Sequence, residues 1–263
     1  MIQLQRPYAV SIAGFDPSGG AGALADSKTF EANGVYGLGV VSALTWQNDI
    51  HFEKLEWLVL EKIIDQLRLL QARFCLRYIK IGLIENMTVL LQLITWLREQ
   101  VPGAVIVWDP VWRASAGFPF HMAIHPELLS ELLSAVDCIT PNIPEARQLF
   151  GDACRPADLC AASRQTAIYL KGGHAVNEGC ITDTLYYRQG SQLFSRPRLP
   201  KGEKHGSGCV LSSALTARLA LGDTLPAAAA AANAYTHHFL ASNDQLLGYH
   251  FLNHHDGHRE ENQ

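Results

Sequence analysis

The feature that most limits the possible folds is the alternation of short apolar runs with amphipathic segments. The runs are apolar throughout, which is typical of strands buried on both faces. Strands are predicted at residues 8–14, 35–47, 78–82, 105–109, 138–140 and 167–171. Helices are predicted at 23–33, 55–74, 87–100, 126–134, 145–151, 210–221 and 225–241. Strands that alternate with helices predict an α/β fold, a mostly parallel central sheet between two helical layers.

The later part of the chain adds a hairpin and a polar end. Residues 182–187 and 192–196 flank a polar turn at Gly190, which predicts two antiparallel strands. No linker or repeat interrupts the 263 residues, so we expect a single domain spanning 1–263. After residue 243 the sequence becomes polar and rich in histidine, and we expect this tail to be flexible.

Composition excludes several classes of protein. The chain is 48% hydrophobic and 17% charged, which supplies a core and argues against disorder. A net charge of −4 gives no basic surface, so nucleic acid is not an expected partner. Neither a secretory signal nor a membrane span is predicted. Six cysteines without CxxC spacing favour reduced thiols and a cytoplasmic location.

Polar residues and glycines follow several of the predicted strands. They are Asp16, Gln47, Gly82, Asp109, Asn142 and Lys171. In open α/β sheets the ligand crevice lies at the carboxyl ends of the strands. We therefore expect these positions to meet at one edge of the sheet, where Lys171 could contact a phosphate and the Gln47 amide could pair with a heterocycle. Each could equally be an ordinary polar residue at a strand end.

A glycine-rich loop precedes the helix predicted at 210–221. The segment His205-Gly206-Ser207-Gly208-Cys209 could bring backbone N–H groups to a phosphoryl group at a helix N-terminus. The same position is expected to lower the pKa of Cys209, which could act as a base. The alternative is a tight turn before a helix with a buried cysteine. Neither a Walker loop nor a dinucleotide fingerprint is present.

The segment Thr140-Pro141-Asn142-Ile143-Pro144-Glu145 has two interpretations. Asn142 and Glu145 could reach one Mg²⁺, directly or through water. They could also form a capping box at a helix N-terminus. Asp109, at the end of an apolar strand, either caps a turn or lies in the crevice.

Several segments together resemble the ribokinase-like superfamily, and more closely the bacterial hydroxymethylpyrimidine/phosphomethylpyrimidine kinases of thiamine biosynthesis. The resemblance extends from about residue 8 to 241. It includes SIAGFDPSGGAG, DSKTFEANGVYG, SALTWQN, KIGLIEN, DPVWRASAG, ITPNIPEA, YLKGGH and HGSGC. It implies a three-layer α/β/α sandwich, ATP as co-substrate and Mg²⁺ as cofactor. The substrate would be 4-amino-5-hydroxymethyl-2-methylpyrimidine and then its monophosphate. A homodimer is usual in the family.

The resemblance also implies roles for individual residues. Catalysis falls to Cys209, with Gly206, Ser207 and Gly208 as the anion hole. The substrate-binding residues would be Gln47, Gly14, Asp16, Ala21, Leu83 and Val111. ATP would be bound by Asp109, Asn142 and Lys171, and the metal by Glu145.

Some positions depart from the family pattern. Phe15, Trp46 and Leu83 replace the residues usual there, and Ser115 stands where the family has a lysine. Two other functions therefore stay open: a pyridoxal/pyridoxine kinase of the same branch, and a non-catalytic pyrimidine-binding protein.

Overall fold

A single nine-stranded sheet organises the chain in the computed structural model, which describes residues 6–113, 117, 118, 120, 124–173 and 179–251. The strands are β1 (Tyr8–Phe15), β2 (Tyr36–Gln47), β3 (Phe52–Trp57), β4 (Tyr78–Ile81), β5 (Val105–Trp108), β6 (Cys138–Ile139), β7 (Ala167–Leu170), β8 (Cys180–Tyr187) and β9 (Gly190–Pro197). Their order is β3-β2-β1-β4-β5-β6-β7-β8-β9. The six adjacent strands β2, β1, β4, β5, β6 and β7 pair in parallel. Strand β3 at one edge and strands β8 and β9 at the other pair antiparallel.

Helices cover both faces of this sheet. They are α1 (Gly22–Ala32), α2 (Leu60–Gln71), α3 (Met87–Gln100), α4 (Pro126–Ala135), α5 (Ile143–Phe150), α6 (Pro156–Ala162), α7 (Ser207–Ala220) and α8 (Leu225–Leu240). One core cluster joins the sheet to α2–α6, and a second joins it to α7 and α8. The predicted three-layer α/β/α architecture is confirmed.

Strand β5 shows why the central strands are apolar throughout. Successive side chains of a strand point to opposite faces. Ile106 and Trp108 lie in the cluster with α2–α6, and Val107 lies in the cluster with α7 and α8. All three are fully buried, so neither face of this strand has room for a polar residue.

The segment predicted as one helix at 55–74 divides into two elements, and that prediction is wrong for its first part. Residues Phe52–Trp57 form strand β3, which pairs with β2, and the helix begins only at Leu60. No glycine or proline lies between Leu55 and the start of α2, so the sequence carries no turn signal at the boundary. The short helix Pro156–Ala162 was not predicted at all.

The tail expected to be flexible after residue 243 is held in place up to residue 251. The backbone N–H of His205 donates to the carbonyl oxygen of Leu246 at 2.9 Å. The Lys204 ammonium donates to the carbonyl oxygens of Asn243 and Gln245. Gly248 packs so closely on Phe239 that a Cβ there would lie 2.5 Å from its ring. The remaining residues, 252–263, lie outside the described part.

Within the described residues, no helix has both the length and the apolar character needed to cross a membrane.

Candidate active site

One large cavity, of about 1960 Å³, opens at the carboxyl ends of the parallel strands. It collects all but two of the residues that the sequence assigned to the site. Those lining it are Gly14, Ala21, Gln47, Leu83, Val111, Asn142, Glu145, Lys171, Gly206, Ser207, Gly208 and Cys209. The other two, Asp16 and Asp109, are only 1% exposed and lie behind its wall.

The glycine-rich loop forms the N-terminus of α7. Gly206 is the N-cap residue in the left-handed region, with φ 74°, and a Cβ there would lie 2.0 Å from the carbonyl oxygen of Gly20. Only glycine fits without displacing the backbone. Ser207, Gly208 and Cys209 are the first three helical residues, and helices leave their first N–H groups without intrahelical partners; the Ser207 N–H donates to the carbonyl oxygen of Lys204 at 3.4 Å. The loop therefore offers backbone donors and a helix dipole to an anion in the cavity.

The pKa of the Cys209 thiol is higher than the sequence predicts. Burial raises its pKa to about 11. The Lys80 ammonium and the Gly22 backbone N–H lower the pKa, whereas the carboxylates of Asp26 and Asp109 raise it further. The expected lowering by the helix N-terminus is thus outweighed by burial and by these two negative charges, and Cys209 is a neutral thiol at pH 7.

One lysine is shared by two carboxylates beside this loop. The Lys171 ammonium lies 2.9 Å from Asp109 Oδ1 and 3.6 Å from Glu145 Oε2. Asp109 also accepts hydrogen bonds from Thr140 (2.9 Å) and Ser212 (3.2 Å), which fix it behind Lys171. Burial raises the pKa of Glu145 to about 7, against the attraction of Lys171 and with the repulsion of Asp109.

The two interpretations of Asn142 and Glu145 are compatible. Asn142 Oδ1 accepts from the Glu145 backbone N–H at 2.8 Å, and Glu145 Oε2 accepts from the Asn142 N–H at 2.7 Å. This is a complete capping box at the start of α5. Both residues also line the cavity, so capping holds the Glu145 carboxylate at its wall.

Gln47 ends β2 at the opposite side of the cavity from the β8–β9 hairpin. Its amide nitrogen donates to Thr45 Oγ1 at 2.9 Å, and Thr45 donates to the carbonyl oxygen of Phe15 at 2.8 Å. The chain of hydrogen bonds orients the Gln47 amide. Leu83 and Val111 supply apolar wall nearby, in the same small cluster around Ala43.

Asp16 has a structural position. Its carboxylate accepts from the backbone N–H groups of Ser18 and Ala21, both at 2.9 Å, and lies 2.8 Å from His205 Nε2. It therefore shapes the first loop and ties it to the residue preceding Gly206. His205 belongs to the glycine-rich sequence motif, but the motif does not indicate that His205 is buried beside a carboxylate.

A second ion pair, not anticipated from the sequence, lies beneath the cysteine. Lys80 and Asp26 are both fully buried, and the Lys80 ammonium lies 3.0 and 2.8 Å from the two Asp26 oxygens. The available signals were a lysine between isoleucines in the four-residue strand β4 and an aspartate on the buried face of α1.

The far end of the cavity lies between the β8–β9 hairpin and α8. Its lining residues include Ile181, Leu211, Thr236 and Leu240. The hydroxyl oxygen of Thr236 is buried and has no hydrogen-bond partner. A cavity of this volume, lined by Gln47 at one side and by the β8–β9 hairpin at the other, has room for two ligands.

The donor set suits a metal that arrives with a phosphate ligand. Among the described residues, no group of three or more His, Cys, Asp or Glu side chains could hold a metal ion alone. Mg²⁺ typically binds one or two carboxylates together with substrate phosphates and water. Glu145, with Asp109 behind it, fits that requirement, since both carboxylates lie at the same lysine.

A three-layer α/β/α fold, a glycine-rich helix N-terminus and a carboxylate–lysine cluster in one crevice are typical of small-molecule kinases of the ribokinase-like type. The profile of the phosphomethylpyrimidine kinase family matches residues 16–253. The chain belongs to this family, and the resemblance and the class of activity predicted from the motifs, a pyrimidine kinase of thiamine biosynthesis, are confirmed.

Relatives in sequence include hydroxymethylpyrimidine/phosphomethylpyrimidine kinases and a thiamine biosynthesis multifunctional protein. The chain is 34% identical over 252 residues to a hydroxymethylpyrimidine/phosphomethylpyrimidine kinase of Rhizobium meliloti, with 90% of this chain and 92% of the relative covered. It is 32% identical over 228 residues to the thiamine biosynthesis multifunctional protein of Corynebacterium efficiens. That alignment covers 84% of this chain and spans 31% of the longer relative.

Solved structures agree on the fold. The phosphomethylpyrimidine kinase of Clostridium difficile is 29% identical, with a TM-score of 0.71 over 88% of this chain and 98% of the other. The pyridoxal kinase of Staphylococcus aureus in complex with AMP-PCP is 23% identical, with a TM-score of 0.79 over 96% of both chains. At that identity the second likeness shows the fold alone.

Proposed function

We propose that the chain transfers the terminal phosphoryl group of ATP to the hydroxymethyl group of 4-amino-5-hydroxymethyl-2-methylpyrimidine, and then phosphorylates the resulting monophosphate. The observation that carries the proposal is one cavity in which Cys209 and the anion-binding loop lie beside the Lys171–Glu145–Asp109 cluster. The matched family and its named relatives support the substrate class.

Each part of the cavity then has a task. The pyrimidine lies against Gln47, Leu83 and Val111, with the Gln47 amide paired to the edge of the ring. The nucleotide base occupies the end near the β8–β9 hairpin. The migrating phosphoryl group meets the backbone N–H groups of residues 206–209, and catalysis is mainly positioning and charge stabilisation.

Cys209 takes the proton of the substrate hydroxyl. Because its pKa is about 11, only a small fraction of the protein carries the thiolate at pH 7. In a loose phosphoryl-transfer transition state the attacking oxygen forms little bond until late, so its proton leaves late. Only the thiolate can accept this proton and become the thiol, so the positive charges around the sulfur must hold the thiolate until the proton is transferred.

Glu145 would hold Mg²⁺ together with the nucleotide phosphates, and the ion would neutralise charge on those phosphates, while Asp109 behind the wall would hold Lys171 in place. Lys171 faces the same phosphates. Its pKa is raised by the two carboxylates in spite of burial, so the ammonium stays charged throughout the physiological range.

An ADP-release assay with the purified chain, ATP and Mg²⁺ tests the proposal. The acceptors are hydroxymethylpyrimidine, its monophosphate and pyridoxal, each in a separate titration. The pyrimidines should give the highest kcat/KM. Turnover should be lost in Cys209→Ala but retained in Cys75→Ala, because Cys75 is exposed and lies outside the cavity lining. A kcat/KM ten times higher for pyridoxal would reassign the substrate.

The monophosphate titration decides whether both phosphorylations occur. The question arises because Ser115 stands where the family has a lysine. That residue lies outside the described part of the chain. If calorimetry detects pyrimidine binding while no acceptor releases ADP, the chain is a binding protein and the proposed catalysis is wrong.

The location and assembly of the protein are also proposals. The six cysteines are all free thiols, which supports a reducing compartment such as the cytoplasm. Homodimers are usual in the family that the sequence resembles, and light scattering during gel filtration would test for a dimer of this chain.

A further inference from the structure

The side chain of Lys80 reaches from the middle of the sheet to the wall of the cavity. It is on β4, between Ile79 and Ile81, and no part of it is exposed to bulk solvent. Gly82 leaves space for the ammonium, since a Cβ there would lie 2.8 Å from Nζ. The residue belongs to the cavity lining together with Cys209.

A carboxylate with no remaining freedom holds this ammonium. Asp26 accepts from Lys80 through both oxygens, from Ser213 Oγ at 2.7 Å and from Ser11 Oγ. Ser213 is one helical turn beyond Cys209 on α7, so the two side chains lie on the same face of that helix. The Lys80–Asp26 pair is therefore fixed directly under the cysteine.

Stability gives only a weak reason for such a pair. Burying two charges costs desolvation energy, and a hydrophobic pair of similar volume is often as stable. A fixed positive charge near a thiol, in contrast, directly changes how readily the thiolate forms.

We infer that Lys80 is a positioning residue for the reaction: its buried ammonium, fixed by Asp26, supplies the positive charge that stabilises the Cys209 thiolate. The inference rests on the proposed function, in which Cys209 takes the proton of the substrate.

Charged groups from several elements act on the Cys209 sulfur. Lys80 from β4 and Lys171 after β7 favour the thiolate, while Asp26 from α1 and Asp109 after β5 oppose it. Among the favourable charges acting on the thiol, Lys80 has the largest effect. Removing Lys80 and removing Asp26 should therefore change the thiolate population in opposite directions.

The test measures how fast iodoacetamide alkylates Cys209 between pH 7 and 9.5, with the Cys209 peptide quantified by mass spectrometry. The proteins are the wild type, Lys80→Gln, Lys80→Arg and Asp26→Asn. Arg218→Gln is the matched control, because it removes a charge from α7 nine residues beyond Cys209. Thermal unfolding of each variant verifies that it is folded.

Lys80→Gln should slow alkylation about threefold or more at each pH. A rise of one pKa unit reduces the thiolate tenfold, but a more basic thiolate is about threefold more nucleophilic. Asp26→Asn should accelerate alkylation by a similar factor, because the unpaired ammonium is left with the thiolate as its nearest anion. Lys80→Arg and Arg218→Gln should stay near the wild-type rate.

A merely structural role for the pair predicts that both substitutions lower the melting temperature and change the rate in the same direction or not at all. That result would overturn the inference. If Lys80→Gln does not fold, the sign of the change in Asp26→Asn decides. No ATP or pyrimidine is present, so the result stands even if the chain proves inactive in the ADP-release assay.

Discussion

Replacing Glu145 by glutamine should make the protein more stable at pH 8, although the residue completes a capping box. In the folded state the pKa of this carboxyl is about 7, compared with an ordinary value of 4.5. The folded protein therefore binds more protons than the unfolded chain between these pH values, and stability falls as the pH rises from about 4.5 to 7. Above pH 7 the accumulated cost is about 3 kcal/mol.

Glutamine removes this cost because it is never ionised. It keeps an amide oxygen that can accept from the Asn142 N–H, and Lys171 keeps Asp109 as its partner. Loss of capping quality costs about 1 kcal/mol at most. The net expectation at pH 8 is a gain of about 2 kcal/mol, or roughly 4–8 °C in Tm for a domain of this size. At pH 5 the gain should nearly disappear.

Urea and thermal unfolding at pH 5 and pH 8 measure this difference. Asp158→Asn is the matched control, since Asp158 has the same position in the capping box of α6 but its side chain is 43% exposed and its pKa is lowered. It should reduce stability at pH 8. A Glu145→Gln protein that is less stable than the wild type by the same amount at both pH values would refute the reasoning and leave Glu145 as a cap only.

In the kinase assay, Glu145→Gln should lower kcat and need more Mg²⁺ for half-activity.

Three further substitutions test other parts of the site. Gln47→Ala should raise the pyrimidine KM about 5- to 150-fold, since a paired hydrogen-bonding group in a closed site contributes about 1–3 kcal/mol; an unchanged KM in steady-state kinetics would remove Gln47 from the site. Cys209→Ala should reduce kcat about 10²- to 10⁴-fold while calorimetry still detects pyrimidine binding. Partial recovery is expected in Cys209→Asp, and a nearly active Cys209→Ala would rule out the thiol as the base. Gly206→Ala should abolish turnover and lower Tm, because its Cβ would meet the Gly20 carbonyl oxygen at 2.0 Å; a fully active variant would show that this loop tolerates another conformation.

The sheet edge could be predicted because its signals are local. A buried parallel strand is a continuous apolar run, and the residue that ends it lies at the crevice edge of the sheet, where Gln47 and Lys171 line the cavity and Asp109 lies behind its wall. The same is true of the loop at residues 206–209, where glycines precede a helix. In each case the chemistry and the position in the element are both visible in a few consecutive residues.

The remaining features depend on distant parts of the chain. Lys80 and Asp26 are 54 residues apart, and nothing near either residue indicates that they meet. The raised pKa of Cys209 is the sum of burial and of charges from several other elements, so the helix N-terminus alone gave the wrong sign. The boundary between β3 and α2 was hidden because no glycine or proline separates Leu55 from the start of the helix.

The docking of residues 244–251 connects this segment to the glycine-rich loop at residues 206–209. Acceptors for Lys204 and His205, the two residues that lead into the anion-binding loop, come from Asn243, Gln245 and Leu246. A nonsense codon or a protease cut just after residue 243 would leave every strand of the sheet intact. It would nevertheless release the loop that is proposed to receive the phosphoryl group, so the proposed function predicts a loss of turnover before any loss of fold.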